Sequence, residues 1–424
     1  MSPFVSPDHP SVTYENIDGH GFFFQNHPNA CTEPGDWAYN KSTKKLSVFF
    51  GKDAPASHNV QVATKNRLLI LANRSNISIK GISFIGANDN LVELDFATNC
   101  SFDDCEFAYA GVNAIAVSRS GFTGTNGNSI TNCSIHDINN NGLELVNSTG
   151  WNITNNTMTN IAMNSGMGVS GDGQHEGVFD MGSNSTFRYN TIKNVGYIGV
   201  KFIGSNITIS NNVIDNTNII KGDGGGIYTY GNTGTNRLIE YNIVSNALGN
   251  IAGIGVDTLN PYNRRGMGIY MDDYAASITI RNNTTFKNGY AGVYLNSNAE
   301  VTITGNTMYN NSTTQVGIIE MGAAFSGMTM TNNIMFSTLQ EQLIGSFRTF
   351  SNNYAANWSM NDNYYCRPIL EPDGIVATGY SKSPTLENYP DGGIIQAHDN
   401  LFYSLDKWKT FSNVDQNTIK ARHQ

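Results

Sequence analysis

Apolar and polar positions in this chain alternate in short bursts, and the bursts repeat. A phrase of the form apolar–x–x–Asn–x–apolar is centred on Asn99, Asn132, Asn156, Asn190, Asn212, Asn242, Asn283, Asn306 and Asn333, in versions such as ITNCSI, ISNNVI, IEYNIV and MTNNIM. Successive Asn positions lie 33, 24, 34, 22, 30, 41, 23 and 27 residues apart, so the basic unit is a turn of 22–24 residues. Each unit holds strand-length runs of period two separated by Asn and Gly, with no helical periodicity. No segment predicts a helix of more than two turns. A repeat of this length points to a solenoid, in which each unit packs only on its neighbours. The expected fold is all-β: a single-stranded, right-handed parallel β-helix of about ten coils. The repeated Asn has a physical reason to be there. It tolerates the left-handed backbone of a sharp corner, and stacked amides can bond along a ladder. These residues are expected to build the fold and do no chemistry.

The ends read differently. Residues 1–65 contain GDWAYN and KLSVFF, which predict an N-terminal β segment leading into the coil. Residues 66–350 carry the repeat, and residues 351–424 read as a C-terminal extension packed on it. Terminal units of a solenoid must close its open core.

After each phrase comes a Gly and an alternating run: Gly142-Leu-Glu-Leu, Gly177-Val-Phe-Asp, Gly199-Val-Lys-Phe, Gly226-Ile-Tyr-Thr, Gly268-Ile-Tyr-Met and Gly292-Val-Tyr-Leu. Alternation sends the first and third residues after Gly inward and the second and fourth to solvent. The predicted outward column is Glu144, Phe179, Lys201, Tyr228, Tyr270 and Tyr294, flanked by Ile203, Tyr230, Asp272 and Asn296. Tyrosines with polar neighbours suit sugar rings, although a tyrosine stack also stabilises an exposed sheet. Ladder Asn to strand Gly takes 9 residues at Asn190–Gly199 and Asn283–Gly292, but 21 at Asn156–Gly177, 14 at Asn212–Gly226 and 26 at Asn242–Gly268. Loops leaving from one edge of a solenoid usually form its binding wall. These three carry Asp172, His175, Glu176, Asp223, Asp257, Arg264 and Arg265.

Composition narrows the classes. With 424 residues the chain exceeds one ordinary globular core, which a repeat architecture permits. A net charge of −9 without a basic cluster argues against a nucleic-acid partner, and no apolar stretch is long enough to span a membrane. The five cysteines, Cys31, Cys100, Cys105, Cys133 and Cys366, form an odd set without metal-ligand spacing, so at least one thiol stays free. Cys100 and Cys133 open similar segments, which would place them near each other in the stack. No leader segment opens the sequence. The reading is a secreted or periplasmic protein whose signal has been removed, acting as a monomer.

GDWAYNKSTKKLSVFF, the Asn-ladder coils, GDGGGIYTYG, GIYMDDYAAS and the closing SLDKWKTFSN together resemble bacterial right-handed β-helix carbohydrate-active proteins. The nearest group is the β-helical glycoside hydrolases, including β-xylosidase-like and fucosidase or pectin-xylanase-like members. The likeness covers nearly the whole chain as a fold, and residues 220–275 as a function. It implies a polysaccharide or oligosaccharide substrate, and an N-terminal region ahead of the part seen here. It also implies that acidic residues of the two phrases, Asp223 with Asp272 or Asp273, are the catalytic pair, since glycoside hydrolysis needs two carboxyl groups flanking the bond. Asp223 lies three residues before its strand Gly and Asp272 four after its own. In straight strands they would stand about 20 Å apart, so the pairing requires the glycine-rich loop to fold back over the face. Asp257 or Glu176 would otherwise supply the partner. Tyr228, Tyr230, Tyr270, Tyr294, Lys201, Glu144, His175, Glu176, Asp257, Arg264 and Arg265 are the expected substrate contacts. No cofactor is expected, and Ca2+ is the ion that Asp272-Asp273 could hold if the pair is a ligand turn. A polysaccharide lyase using Lys201, Arg264, Arg265, His175 and Tyr228 is the alternative enzyme. A glycan-binding adhesin or tailspike-like shaft is the non-enzymatic one.

Overall fold

The computed structural model describes residues 4–5, 13–14, 24, 26–117, 124–169, 171, 173–231, 234–250, 264–350, 353–368, 376–380 and 401–420. The chain divides into two compact units. In the first, Met1–Thr64, strands Trp37–Asn40 and Lys45–Val48 form an antiparallel hairpin, with Trp37 opposite Val48 and Asn40 opposite Lys45.

The second unit is a parallel β-helix. Among the described residues three sheets of thirteen, twelve and eleven strands run through it, close to the expected stack of about ten coils. One coil illustrates the path: Leu143–Leu145 in the thirteen-stranded sheet, Asn152–Thr154 in the eleven-stranded sheet, then Thr157–Ile161 in the twelve-stranded sheet. The last two are joined by only two residues, and that corner explains the Asn pattern. Its first residue is left-handed: Asn155, Asn211, Asn282 and Asn332 have φ of 58°, 56°, 55° and 56°. Its second points into the tube. Asn156 Nδ2 donates to Asn190 Oδ1 at 3.0 Å, and the ladder continues through Asn212, Asn242, Asn283, Asn306 and Asn333 to Asn363. Each buried amide also donates to a backbone carbonyl, as Asn242 does to Ile209 O at 2.9 Å. Two demands at adjacent positions, both met by Asn, cause a one-residue slip in the sequence reading. Asn132 is an exposed left-handed corner residue with φ 57°, and Asn99, φ 51°, sits at a different corner. Cys133 takes the ladder place beside Asn132. Its amide donates to Asn156 Oδ1 at 2.9 Å, and its sulfur accepts from Cys105 N at 3.4 Å. The stack neighbour of Cys133 is therefore Cys105, not Cys100. Cys31, Cys100, Cys105 and Cys133 are free thiols.

The interior is filled as alternation requires. Leu143, Leu145, Val178, Val200, Phe202, Ile227, Ile269, Val293 and Leu295 are fully buried. Burying side chains of this size contributes about 1.5–3 kcal/mol each before chain entropy is counted.

Coils continue beyond residue 350. Trp358–Asn361 and Tyr364–Cys366 extend two of the sheets. The helix Leu405–Ser412 then supplies Trp408, which is fully buried against Phe347 and Tyr354. Asp415 ends the ladder: it accepts from Asn363 Nδ2 at 3.2 Å, Tyr365 OH at 2.8 Å and Trp408 Nε1 at 2.9 Å. Among the described residues no helix is long and apolar enough to cross a membrane.

Candidate active site

The predicted outward column exists in register. Glu144 stands opposite Phe179, Phe179 opposite Lys201, Lys201 opposite Tyr228, Tyr228 opposite Tyr270 and Tyr270 opposite Tyr294. It does not face solvent. Glu144, Phe179, Lys201, Tyr228 and Tyr270 are all buried, and Tyr294 is half-buried. The cover comes from the residue just before each strand glycine. Ile198, Met267 and Ala291 pack with Tyr228 and Tyr270 into a second apolar cluster, separate from the core inside the tube. Gly225, in the continuous strand Gly224–Tyr230, packs close beside this cluster. A Cβ at this position would be 2.9 Å from the Ile227 carbonyl oxygen and 3.2 Å from Tyr270 Cβ. Only glycine permits so close a backbone approach. Its neighbours pair with the next coil, Gly224 with Gly266 and Gly225 with Met267.

The tyrosines are not flat platforms. Tyr228 and Tyr270 pack edge-to-face with centroids 5.2 Å apart, as do Tyr270 and Tyr294 at 5.2 Å and Tyr290 and Tyr294 at 5.3 Å. Their ring faces are spent on one another, a favoured aromatic geometry, and sugar stacking has no access to Tyr228 or Tyr270. Tyr230 is half-buried at the edge of the cluster, its centroid 6.2 Å from that of Tyr228.

Three aspartates border this cluster. Asp272 is half-buried. Its Oδ2 accepts from Tyr228 OH at 2.9 Å, and its Oδ1 accepts from Asn296 Nδ2 at 2.8 Å and Asp273 N at 2.9 Å. Asp273 is exposed, and its Oδ1 accepts from the same Asn296 amide at 3.2 Å. Asp223 has a left-handed backbone, φ 59°, and its carboxylate lies 3.8 Å from the Arg265 guanidinium. Removal from bulk water raises Asp223 above the ordinary carboxylate range; Arg265 opposes the rise and the Asp272 charge adds to it. Its side chain keeps 57% exposure, so solvent screens much of this effect. Asp273 is raised by burial, then by Asp272 and Asp223. The same charges reach the phenols. Tyr228 and Tyr270 lie above the usual tyrosine range, first through burial and then through Asp272.

The other predicted contacts are placed differently. Lys201 and Glu176 form a buried pair, Nζ to Oε1 3.5 Å, with side-chain exposures of 2% and 0%. Glu144 is buried and accepts from Asn113 Nδ2 at 2.7 Å. His175 is buried, with Nε2 3.1 Å from Met167 O. These four, expected as substrate contacts, are buried side chains. Arg264 is half-buried and Arg265 exposed, while Asp172 and Asp257 lie outside the described residues. Among the described residues no group of three or more His, Cys, Asp or Glu side chains could hold a metal ion. Sequence reasoning missed Tyr197, whose OH donates to the Asp223 carbonyl at 2.9 Å, and Tyr290. Both stand two residues before a strand glycine, a second column that alignment on glycine would have exposed. A depression of about 450 Å³ is bounded by Tyr274, Ser277, Ser297, Glu300 and Ser326, and none of the three aspartates lines it.

Residues 68–243 match a family model described as a right handed beta helix region. The coil is a right-handed β-helix. No curated protein sequence matches the chain. Among solved structures, the A-module of a mannuronan C-5 epimerase from Azotobacter vinelandii is similar over 74% of this β-helix chain and 77% of that chain, with 12% identity and a TM-score of 0.46. A periplasmic alginate epimerase is similar over 80% of this chain and 71% of that chain, with 11% identity and a TM-score of 0.49. The Dettilon tailspike protein is similar over 74% and 59%, with 12% identity and a TM-score of 0.36. Likeness at this identity concerns the β-helix alone.

Proposed function

We propose that this β-helix is an extracytoplasmic carbohydrate-active enzyme that hydrolyses glycosidic bonds of a polysaccharide or oligosaccharide, with Asp223 and Asp272 as its carboxyl pair. The observation that supports it is the set of hydrogen bonds holding the Asp272 carboxylate, from Tyr228, Asn296 and the Asp273 amide, beside a second carboxyl, Asp223, that is raised by burial and in part by the Asp272 charge. Two carboxyl groups in unlike surroundings can divide the work. Asp223, raised and open to solvent, is suited to protonate the leaving oxygen. Asp272, held by Tyr228, Asn296 and the Asp273 amide, is suited to act as nucleophile or to orient water. Of the groups an elimination would use, Arg264 and Arg265 stay accessible, while two others are poorly suited. Lys201 is buried against Glu176. The Tyr228 and Tyr270 phenols are raised, whereas a phenolate base must be lowered.

The test is digestion of xylan, pectin, fucosylated glycan and alginate, reading reducing ends and the ultraviolet absorbance of unsaturated uronates in parallel. Reducing ends without absorbance, abolished in Asp272→Asn and Asp223→Asn, are expected. Absorbance rising with reducing ends would refute hydrolysis. Binding without turnover would make the protein a glycan-binding module.

A further inference from the structure

Lys201 and Glu176 raise a question that the buried column makes sharp. A hydrophobic pair of the same volume usually replaces a buried ion pair at no loss of stability, so fold maintenance alone does not account for charges at this place. The surroundings of the ammonium are specific. Lys201 Nζ lies 5.1 Å from the Phe179 ring centroid, 5.7 Å from that of Tyr228 and 5.2 Å from that of Tyr230. Glu176 supplies the counter-charge at 3.5 Å. A cation over ring faces is attracted by their negative quadrupole, and desolvation strengthens that attraction. Tyr228 is the ring that matters, because its hydroxyl donates to Asp272 Oδ2 at 2.9 Å. A cation held against a phenol ring also draws electron density from its oxygen and makes its O–H a better donor.

We infer that Lys201, neutralised by Glu176, is a positioning residue that pins the Tyr228 ring and strengthens its hydrogen bond to Asp272. This rests on the proposed role of Asp272 in hydrolysis. Lys201 touches no substrate. It acts through Tyr228, and Glu176 makes its burial tolerable.

The test compares Lys201→Met/Glu176→Gln, which removes both charges, with Lys201→Arg, which keeps a cation. The double variant is expected to hold or raise its melting temperature, to lose about tenfold in kcat, the worth of roughly one hydrogen bond, and to keep its KM. Lys201→Arg should retain most of kcat. A crystal structure of the double variant should show the Tyr228 ring displaced and its bond to Asp272 lost. A double variant that melts lower than the parent, or keeps its kcat, overturns the inference. So does a structure in which the Tyr228–Asp272 bond is unchanged. If the parent protein hydrolyses nothing, the proposed function fails, and the crystallographic arm still decides whether Lys201 positions Tyr228.

Discussion

Asp180 offers a prediction that tests how the coil interior handles charge. It occupies an inward position of its strand, between Leu145 in one neighbouring coil and Phe202 in the next, and it is fully buried. Burial raises its carboxyl from 3.8 to about 6, against the opposing bond from Gly182 N. Each pH unit of displacement is worth about 1.4 kcal/mol, so the rise from 3.8 to about 6 corresponds to about 3 kcal/mol. The sign follows from proton binding. Between these values the folded protein holds the proton and the unfolded chain has lost it, so stability falls as pH rises through the interval. The deficit is complete above about pH 7 and absent below about pH 3. The substitution Asp180→Asn keeps a side-chain oxygen to accept from Gly182 N, bonded at 2.7 Å in the parent, and carries no charge at any pH. The variant should therefore match the parent near pH 4 and melt roughly 4 °C higher near pH 8, taking about 3 kcal/mol over the unfolding entropy of a chain this long. Differential scanning calorimetry at the two pH values reads the difference. A variant offset that is the same at both, or a variant that melts lower near pH 8, would refute the reasoning.

Other consequences are open to measurement. Asn242→Ala removes two donated and two accepted ladder bonds in a buried corner; it should cost about 2–4 kcal/mol in urea unfolding, and a loss below about 1 kcal/mol would mean the ladder carries little of the stability. Tyr228→Phe deletes the donor to Asp272 and should lower kcat about tenfold without changing the melting temperature, as steady-state kinetics on the active substrate would show. Burial pushes the Cys133 thiol up to about 12, so iodoacetamide near pH 8 should leave it unmodified in the native protein and modify it after denaturation, read by peptide mass spectrometry. Trp408→Ala empties the aromatic cap around Phe347 and Tyr354 and should destabilise the protein by about 3–5 kcal/mol, measured by thermal unfolding.

The sequence by itself determined the solenoid, the strand phase and the aspartates to examine. Each of these depends on local physics. A strand has period two, so Leu143, Val178, Val200, Ile227, Ile269 and Val293 announce one inward column and Glu144 to Tyr294 the other. The two-residue corner was legible as an Asn, but not which Asn pointed inward, because the left-handed residue and the ladder residue are chemically alike. Tertiary structure alone decided whether the outward column met solvent. Ile198, Met267 and Ala291 come to pack with Tyr228 and Tyr270 because successive coils stack in register, and no single repeat contains that information. The same stacking withdrew Lys201, Glu176, Glu144 and His175 from the surface. It also decided that the run Gly224-Gly225-Gly226, which reads as a loop, is strand, because Gly224 pairs with Gly266 and Gly225 with Met267 in the next coil.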